Sequence, residues 1–397
     1  MPIEEKTYYS RTILAILSFL ICVIIFRYSL YLDGMPIIFA MFSMLRFVCW
    51  GLFFMMYFSR PKKIDSIGFW LLSYGAFVFA ISLLKDSDSP YSIVSIGMDI
   101  FILWGIFNIY YERYSEWMLK IIIFAFSTCI YANAILLLLY PNGIWTTANG
   151  TNYFFLGGNY NQMGGVILPA LTIHAYYTTL YKKGKLHLWI LTIASLFSIL
   201  DVGSKTSVIG IFLLLFIYFI KSYNIRKWVL RVFFYFYLIF QALIVFLNTD
   251  LESYPIITYF IEDVLEKDLT FTNRTEVWLM TFDLIHDSPI VGHGYLSPDW
   301  YEDNLSVRST HNWILYILIC GGIVGIAIII GLFSNVLWRY YKNSKPFSPQ
   351  IVMAGLLILF FMMTMEIYPF IFVVLLMFLI YYHHDINVGP ESINNIQ

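Results

Sequence analysis

The sequence predicts an all-α, polytopic integral membrane protein with about twelve transmembrane helices and one large extracytoplasmic loop containing short helices. Three observations predict it. Of the 397 residues, 60% are hydrophobic and only 12% are charged, where a soluble chain carries about 25% charge. Apolar runs of bilayer length, about 20 residues each, recur along the chain. Lys and Arg cluster in alternate connecting segments, the pattern that sets orientation in a membrane.

In order, the runs fall at about 12–32, 37–58, 67–84, 91–110, 118–140, 163–181, 186–201, 206–221, 228–247 and 311–338. The last run, 351–382, is too long for one helix. Glu366 and Pro369 interrupt it, and a buried Glu is costly in lipid. Two short helices with a turn near Glu366 give twelve spans. The start, MPIEEKTYYSR, is acidic and shows no small-residue cleavage site, so the first run reads as a retained span. Arg60, Lys62 and Lys63, then Lys182, Lys183 and Lys185, then Arg226, Lys227 and Arg231, then Arg339, Lys342 and Lys345 mark one side as cytoplasmic. Both termini fall on that side. The chain reads as a single membrane domain, 1–397, with the polar interval 248–310 as an extracytoplasmic loop between spans nine and ten. The polar loop 141–162 faces the same way.

The net charge of −1 argues against a nucleic-acid partner. Cys22, Cys49, Cys129 and Cys320 all lie inside apolar runs, which argues against a disulfide framework or a zinc site. Inside the large loop, Ile257, Phe260, Ile261, Val264 and Leu265 recur at helical spacing with acidic residues between them, as in a helix lying on the membrane surface. A second loop helix is expected from about 274 to 287, with Asn273 and Glu276 as a capping box, and the SPIVGHGY segment ends it.

Three outer cations sit at expected helix starts. Lys205 lies in Ser204-Lys205-Thr206, Arg274 opens the loop helix, and Arg308 with His311 opens the tenth span. Helix N-termini present free N–H groups that suit phosphates, and Lys or Arg strengthens such a site. Each cation alone also fits an ordinary side chain reaching for headgroups. His311 is the only histidine at the outer mouth of a span. A helix N-terminus keeps an imidazole neutral, as a general base requires; a structural histidine bonded to Asn312 is the alternative. Asp283, His286, Asp287 and His293 match no metal-ligand spacing, and solvated charges explain them. Gly157-Gly158 and Gly164-Gly165 indicate a tight turn and close packing around Asn159, Tyr160 and Asn161. Tyr- and Trp-rich outer segments fit an interfacial belt as well as sugar stacking. Arg46 and Asp99 lie inside spans at a depth of about 12–14 Å, where an unpaired charge costs about 3 kcal/mol or more. They are expected to pair with each other as a structural bridge.

NRTEVWLMTFDLIHDSPIVGHGY followed by STHNWILYILICGGIVGI resembles the bacterial O-antigen polymerase and O-antigen ligase superfamily. GGNYNQMGGV and Ser204-Lys205-Thr206 resemble two further segments of that family, and the likeness covers about 150 to 330. The resemblance implies a metal-independent membrane glycosyltransferase without a cofactor. Its donor would be an oligosaccharide on polyprenyl (undecaprenyl) diphosphate, used at the outer face of a bacterial cytoplasmic membrane. Arg274 and Lys205 would hold the diphosphate, His311 would orient or deprotonate the acceptor hydroxyl, and Asn312 would support it. Lys205 departs from the more usual Arg and lacks its bidentate fork. Arg308 joins the diphosphate set by its placement alone. The implied activity is polymerisation of repeat units into capsule, exopolysaccharide or O-antigen, with a flippase and a chain-length regulator as expected partner proteins besides membrane lipids. Transfer of a finished glycan to a lipid core or protein is the alternative within the family. A flippase or transporter, with Arg46, Asp99 and Glu366 as its buried charges, is the alternative of another class.

Overall fold

The computed structural model describes residues 3–146, 152–246, 274–342 and 348–385. Its helices are α1 (Ile3–Ser29), α2 (Pro36–Ser59), α3 (Ser66–Leu84), α4 (Pro90–Leu139), α5 (Met163–Tyr181), α6 (Lys185–Asp201), α7 (Lys205–Phe219), α8 (Tyr223–Phe240), α9 (Arg274–Asp287), α10 (Pro298–Leu305), α11 (Trp313–Lys342), α12 (Pro349–Met362) and α13 (Phe370–Tyr381). A π-helical turn, Gln241–Phe246, extends α8. The only strands among the described residues form a two-stranded ribbon, β1 (Trp145–Thr146) with β2 (Asn152–Tyr153), in the 141–162 loop. The protein is a helical membrane protein: five of these helices, α1 to α4 and α11, are long and apolar enough to cross a bilayer. The expectation of twelve spans thus meets five helices of spanning length among the described residues, with α7, α12 and α13 apolar but shorter.

Several boundaries depart from the sequence pattern. The expected spans 91–110 and 118–140 form one helical run, α4, because the polar stretch between them stays helical except at Tyr114 (φ −125°, ψ 23°). That run has no Gly or Pro at the junction to end it, so it bends instead. The surface helix expected around Ile257–Leu265, and Asn273 of the expected capping box, lie outside the described residues. The second loop helix is described from Arg274 to Asp287, as its pattern indicates.

Two short helices form the centre of the bundle. Nearly every side chain of α12 and α13 is buried. The former packs on α5, α7 and α8, the latter on α4, α5 and α11. Between them the chain leaves helical geometry at Thr364–Pro369. Non-helical backbone among apolar helices needs its polar groups satisfied from elsewhere. Here the Trp313 N–H donates to the Met363 carbonyl at 3.0 Å, the Asn312 amide to Thr364 O at 3.2 Å, and the Gln162 amide to Ile367 O at 3.0 Å.

A second break is filled in the same way. Gly322 adopts φ 59° inside α11 and interrupts it. The SPIVGHGY segment docks into the gap: His293 N donates to Ile319 O at 2.7 Å, Gly294 N to Cys320 O at 3.0 Å, while Ile323 N and Val324 N donate to Pro289 O and Ile290 O. A side chain at Gly322 would strike the Ile290 backbone, and one at Gly292 the Ile319–Gly321 backbone. The two glycine-rich motifs that lie apart in sequence are therefore one interlocked unit.

The buried charges pair as expected. Asp99 Oδ2 accepts from Arg46 Nη2 at 2.7 Å, from Arg46 Nε at 3.0 Å and from Tyr28 at 2.9 Å; Trp50 donates to its Oδ1 at 3.3 Å. The bridge ties α1 and α2 to α4. Replacing Asp99 by Asn should lower stability by about 3–5 kcal/mol by stranding Arg46, read as a fall in thermal midpoint in detergent. The double change Arg46→Met with Asp99→Leu should recover most of that loss.

Candidate active site

The break between α12 and α13 carries Glu366, whose carboxylate collects side chains from three distant segments. Its Oε1 lies 3.4 Å from His311 Nδ1. Gln162 Nε2 and the Ile367 N–H each donate to the same oxygen at 3.2 Å. Its Oε2 lies 3.8 Å from Arg274 Nη2. The Glu366 side chain is only 7% exposed, against 17% for Arg274 and 25% for His311. A carboxylate so buried is tolerable only with compensating charge and hydrogen bonds, and these neighbours supply both. At 3.8 Å the Arg274 contact is electrostatic rather than a hydrogen-bonded fork.

Each partner reaches Glu366 for a local reason. Arg274 stands one turn before Trp278, which is buried against Val245 and Leu315 and lays α9 across the start of α11. Gln162 precedes α5. The Gly164-Gly165 pair lets that helix start approach closely, since a side chain at Gly164 would run into Ser207 and Met362, and one at Gly165 into the Tyr368 ring. The close packing read from these glycines is what they provide. His311 does not open a helix, contrary to the sequence expectation: α11 begins at Trp313, and His311 sits before its cap with φ +50°. Its backbone N–H donates to Ser309 Oγ at 3.3 Å. A left-handed non-glycine residue stores about 1 kcal/mol or more of strain and is held by its surroundings. The Nδ1 atom is buried, so the exposed part of the ring is its other edge, which carries Nε2.

The remaining expected site residues take different places. Asn312 is fully buried. Its Oδ1 accepts from Leu315 N at 3.0 Å, which caps α11, and from Gln241 Nε2 at 3.2 Å. Lys205 opens α7 as expected and is half-buried. Two residues on, Ser207 meets Gly164 beside Met362, so the start of α7 lies at the level of the break. Arg308 is 59% exposed and faces Asp299 Oδ1 at 3.2 Å and Glu302 Oε2 at 3.9 Å, two acids of α10. His293 bonds the Leu284 carbonyl at 2.8 Å through Nε2, and His383 Nδ1 lies 2.8 Å from the Tyr176 hydroxyl, packed onto the bundle. Among the described residues no three His, Cys, Asp or Glu side chains gather as metal ligands.

An apolar cavity of about 890 Å³ runs beside the break, between α3 and α4 on one side and α11 and α13 on the other. Gln162, Ile367, Tyr368 and Pro369 line its end nearest Glu366, and Leu71, Tyr74 and Ile100 line its body.

Sequence reading treats Glu366 as a helix breaker, or as a buried charge of a transporter, and gives Gln162 no role of its own. The signal for Glu366 is present all the same, because an ionisable residue inside an apolar run marks a functional site by default. Replacing Asn312 by Ala should lower stability by about 2–3 kcal/mol through loss of the cap and of two buried bonds. An unchanged thermal midpoint would remove Asn312 from its capping role.

Residues 190–330 match the family model described as O-antigen ligase. No curated protein and no solved structure matches the chain. The matched segment runs from within α6 to within α11 and contains Lys205, Arg274, Arg308, His311 and Asn312, whereas Gln162 and Glu366 lie outside it. This segment is similar to the O-antigen ligase family, which supports a relation of the protein to the O-antigen ligase and polymerase superfamily.

Proposed function

We propose that the protein polymerises polyprenyl-diphosphate-linked oligosaccharide repeat units at the outer face of a bacterial cytoplasmic membrane, with both termini inside. The observation that carries this reading is the Glu366 carboxylate placed between Arg274 and His311. A carboxylate at Nδ1 favours the tautomer with its proton there and leaves Nε2 as the acceptor. His311 Nε2 then takes the proton of the acceptor hydroxyl as its oxygen bonds the donor's anomeric carbon. The bond from that carbon to the diphosphate oxygen breaks, and its electron pair leaves with the diphosphate. Glu366 stabilises the imidazolium that forms. Arg274, with Lys205 at the start of α7, meets the charge developing on the leaving group. The apolar cavity beside Pro369 suits the donor's hydrocarbon chain. Arg308, already among acids, belongs to the rim of the site rather than its centre in this mechanism.

The test is an assay with a defined polyprenyl-diphosphate oligosaccharide, its products resolved by size. The wild-type protein should give a ladder of elongated glycans, and EDTA should leave the rate unchanged. His311→Ala and Glu366→Gln should each lower the rate by about 10²- to 10⁴-fold at equal protein abundance. Arg274→Ala should abolish the ladder. Lys205→Arg should retain activity, whereas Lys205→Ala should lose most of it. A single transfer to a lipid-core acceptor with no ladder would replace polymerisation by ligation. Movement of the lipid-linked glycan across liposomes without any elongation would remove the enzyme reading.

A further inference from the structure

A second cavity, of about 350 Å³ and mostly apolar with a few polar groups on its wall, lies at the other end of α5. His174, on its wall, stands twelve residues beyond Gln162, about 18 Å along the helix axis. The second half of α4, the end of α5 and the start of α6 enclose it, with Lys120, Ser127, Tyr131, His174, Tyr177 and His187 supplying its polar lining. Three of those groups are orphaned. Ser127 Oγ, the Tyr131 hydroxyl and His174 Nδ1 are buried without a hydrogen-bond partner among the described residues. His174 is 1% exposed and Ser127 4%. The His174 ring is held in place, with its centroid 4.8 Å from that of His187 and its Nε2 against Gly184. Orphaned polar groups are rare in folded proteins and call for an explanation. Three of them lining one cavity point to a ligand.

The chemistry of the wall selects that ligand. The Ser127 and Tyr131 hydroxyls and the Lys120 ammonium can donate, and no carboxylate lines the cavity. Glu116 stands nearby but is held by Lys120 at 2.8 Å and Lys183 at 3.5 Å. The turn between α5 and α6, with Lys182, Lys183 and Lys185, adds further positive charge. The outer flanks, Phe124, Leu186, Ile190 and Ile193, are apolar and exposed, as on a lipid-facing surface. Phosphate oxygens match the hydroxyl and ammonium donors on this wall, and basic clusters at a membrane surface attract anionic headgroups. We propose that this cavity binds the phosphate headgroup of an anionic membrane lipid, at the end of α5 opposite the candidate active site. The proposal does not rest on the glycan-transfer reading.

The test is thermal unfolding of the purified full-length protein in detergent, with phosphatidylglycerol, phosphatidylcholine or inorganic phosphate added. Phosphatidylglycerol should raise the thermal midpoint by at least about 3 °C more than phosphatidylcholine does. The double variant Ser127→Ala/Tyr131→Phe deletes only hydroxyls that have no partner, so it should fold normally and lose at least half of that rise. Lys120→Gln should weaken it likewise. Native mass spectrometry should show retained phosphatidylglycerol on the wild-type protein and less on the double variant. Equal shifts from the two lipids, or an undiminished shift and equal lipid retention in the double variant, would overturn the proposal. A full shift from inorganic phosphate alone would assign the site to free phosphate and overturn the lipid.

Discussion

A peptide group left unpaired among apolar helices costs several kcal/mol, and this protein breaks two helices inside its bundle. Both breaks are closed by other parts of the chain. At Gly322 the SPIVGHGY backbone enters and pairs with the open carbonyls and N–H groups. At Thr364–Pro369 the start of α11 and Gln162 do the same. The need to close these breaks draws the polar loops into the membrane domain. The loops carry His311, Arg274 and Gln162, so meeting the backbone requirement also assembles the site.

Electrostatics then distinguishes this break from an ordinary structural one. Capping Thr364–Pro369 requires only amides and N–H groups. Glu366 adds a carboxylate that is 7% exposed and must be offset. Arg274 supplies the counter-charge, and Gln162 with the Ile367 N–H supplies hydrogen bonds, while Arg274 and His311 stay partly exposed. A purely structural pair tends toward the geometry of Arg46 and Asp99, with three hydrogen bonds at 2.7–3.0 Å on one oxygen of a nearly inaccessible carboxylate. The longer 3.4 and 3.8 Å contacts at Glu366, on partners that remain partly exposed, suit groups that exchange charge with a substrate.

Local pattern carried much of this into the sequence. Hydropathy locates the long helices, a capping box and the SPIVGHGY breaker locate α9 at 274–287, and the cost of a lone buried charge pairs Arg46 with Asp99. The family motifs bring out Arg274 and His311. What stayed hidden is nonlocal. Glu366 meets Gln162 across more than 200 positions, and nothing in an apolar run announces which loop will reach it. The left-handed backbone of His311 was equally illegible, because a His-Asn pair before an apolar run looks like a helix start. Asn312 is the cap, so His311 lies outside the helix, with φ +50°. The bend at Tyr114 escaped notice because polar residues between two apolar runs read as a loop when no breaker is present to decide otherwise.

The distribution of the site across the chain constrains how such a protein works. The family segment, 190–330, supplies the cationic and imidazole groups. The carboxylate comes from the break after α12, and the amide that braces it comes from the loop before α5. Without Glu366, His311 Nδ1 would lose the carboxylate that lies 3.4 Å away, and Arg274 would lose a counter-charge at 3.8 Å. In the proposed mechanism, the segment alone would hold an anion without being organised to move a proton. The carboxylate stands in the break between α12 and α13, whose side chains are nearly all buried. Arg274 and Lys205, which the proposed mechanism assigns to the diphosphate, stand by contrast at a loop helix and at the start of α7.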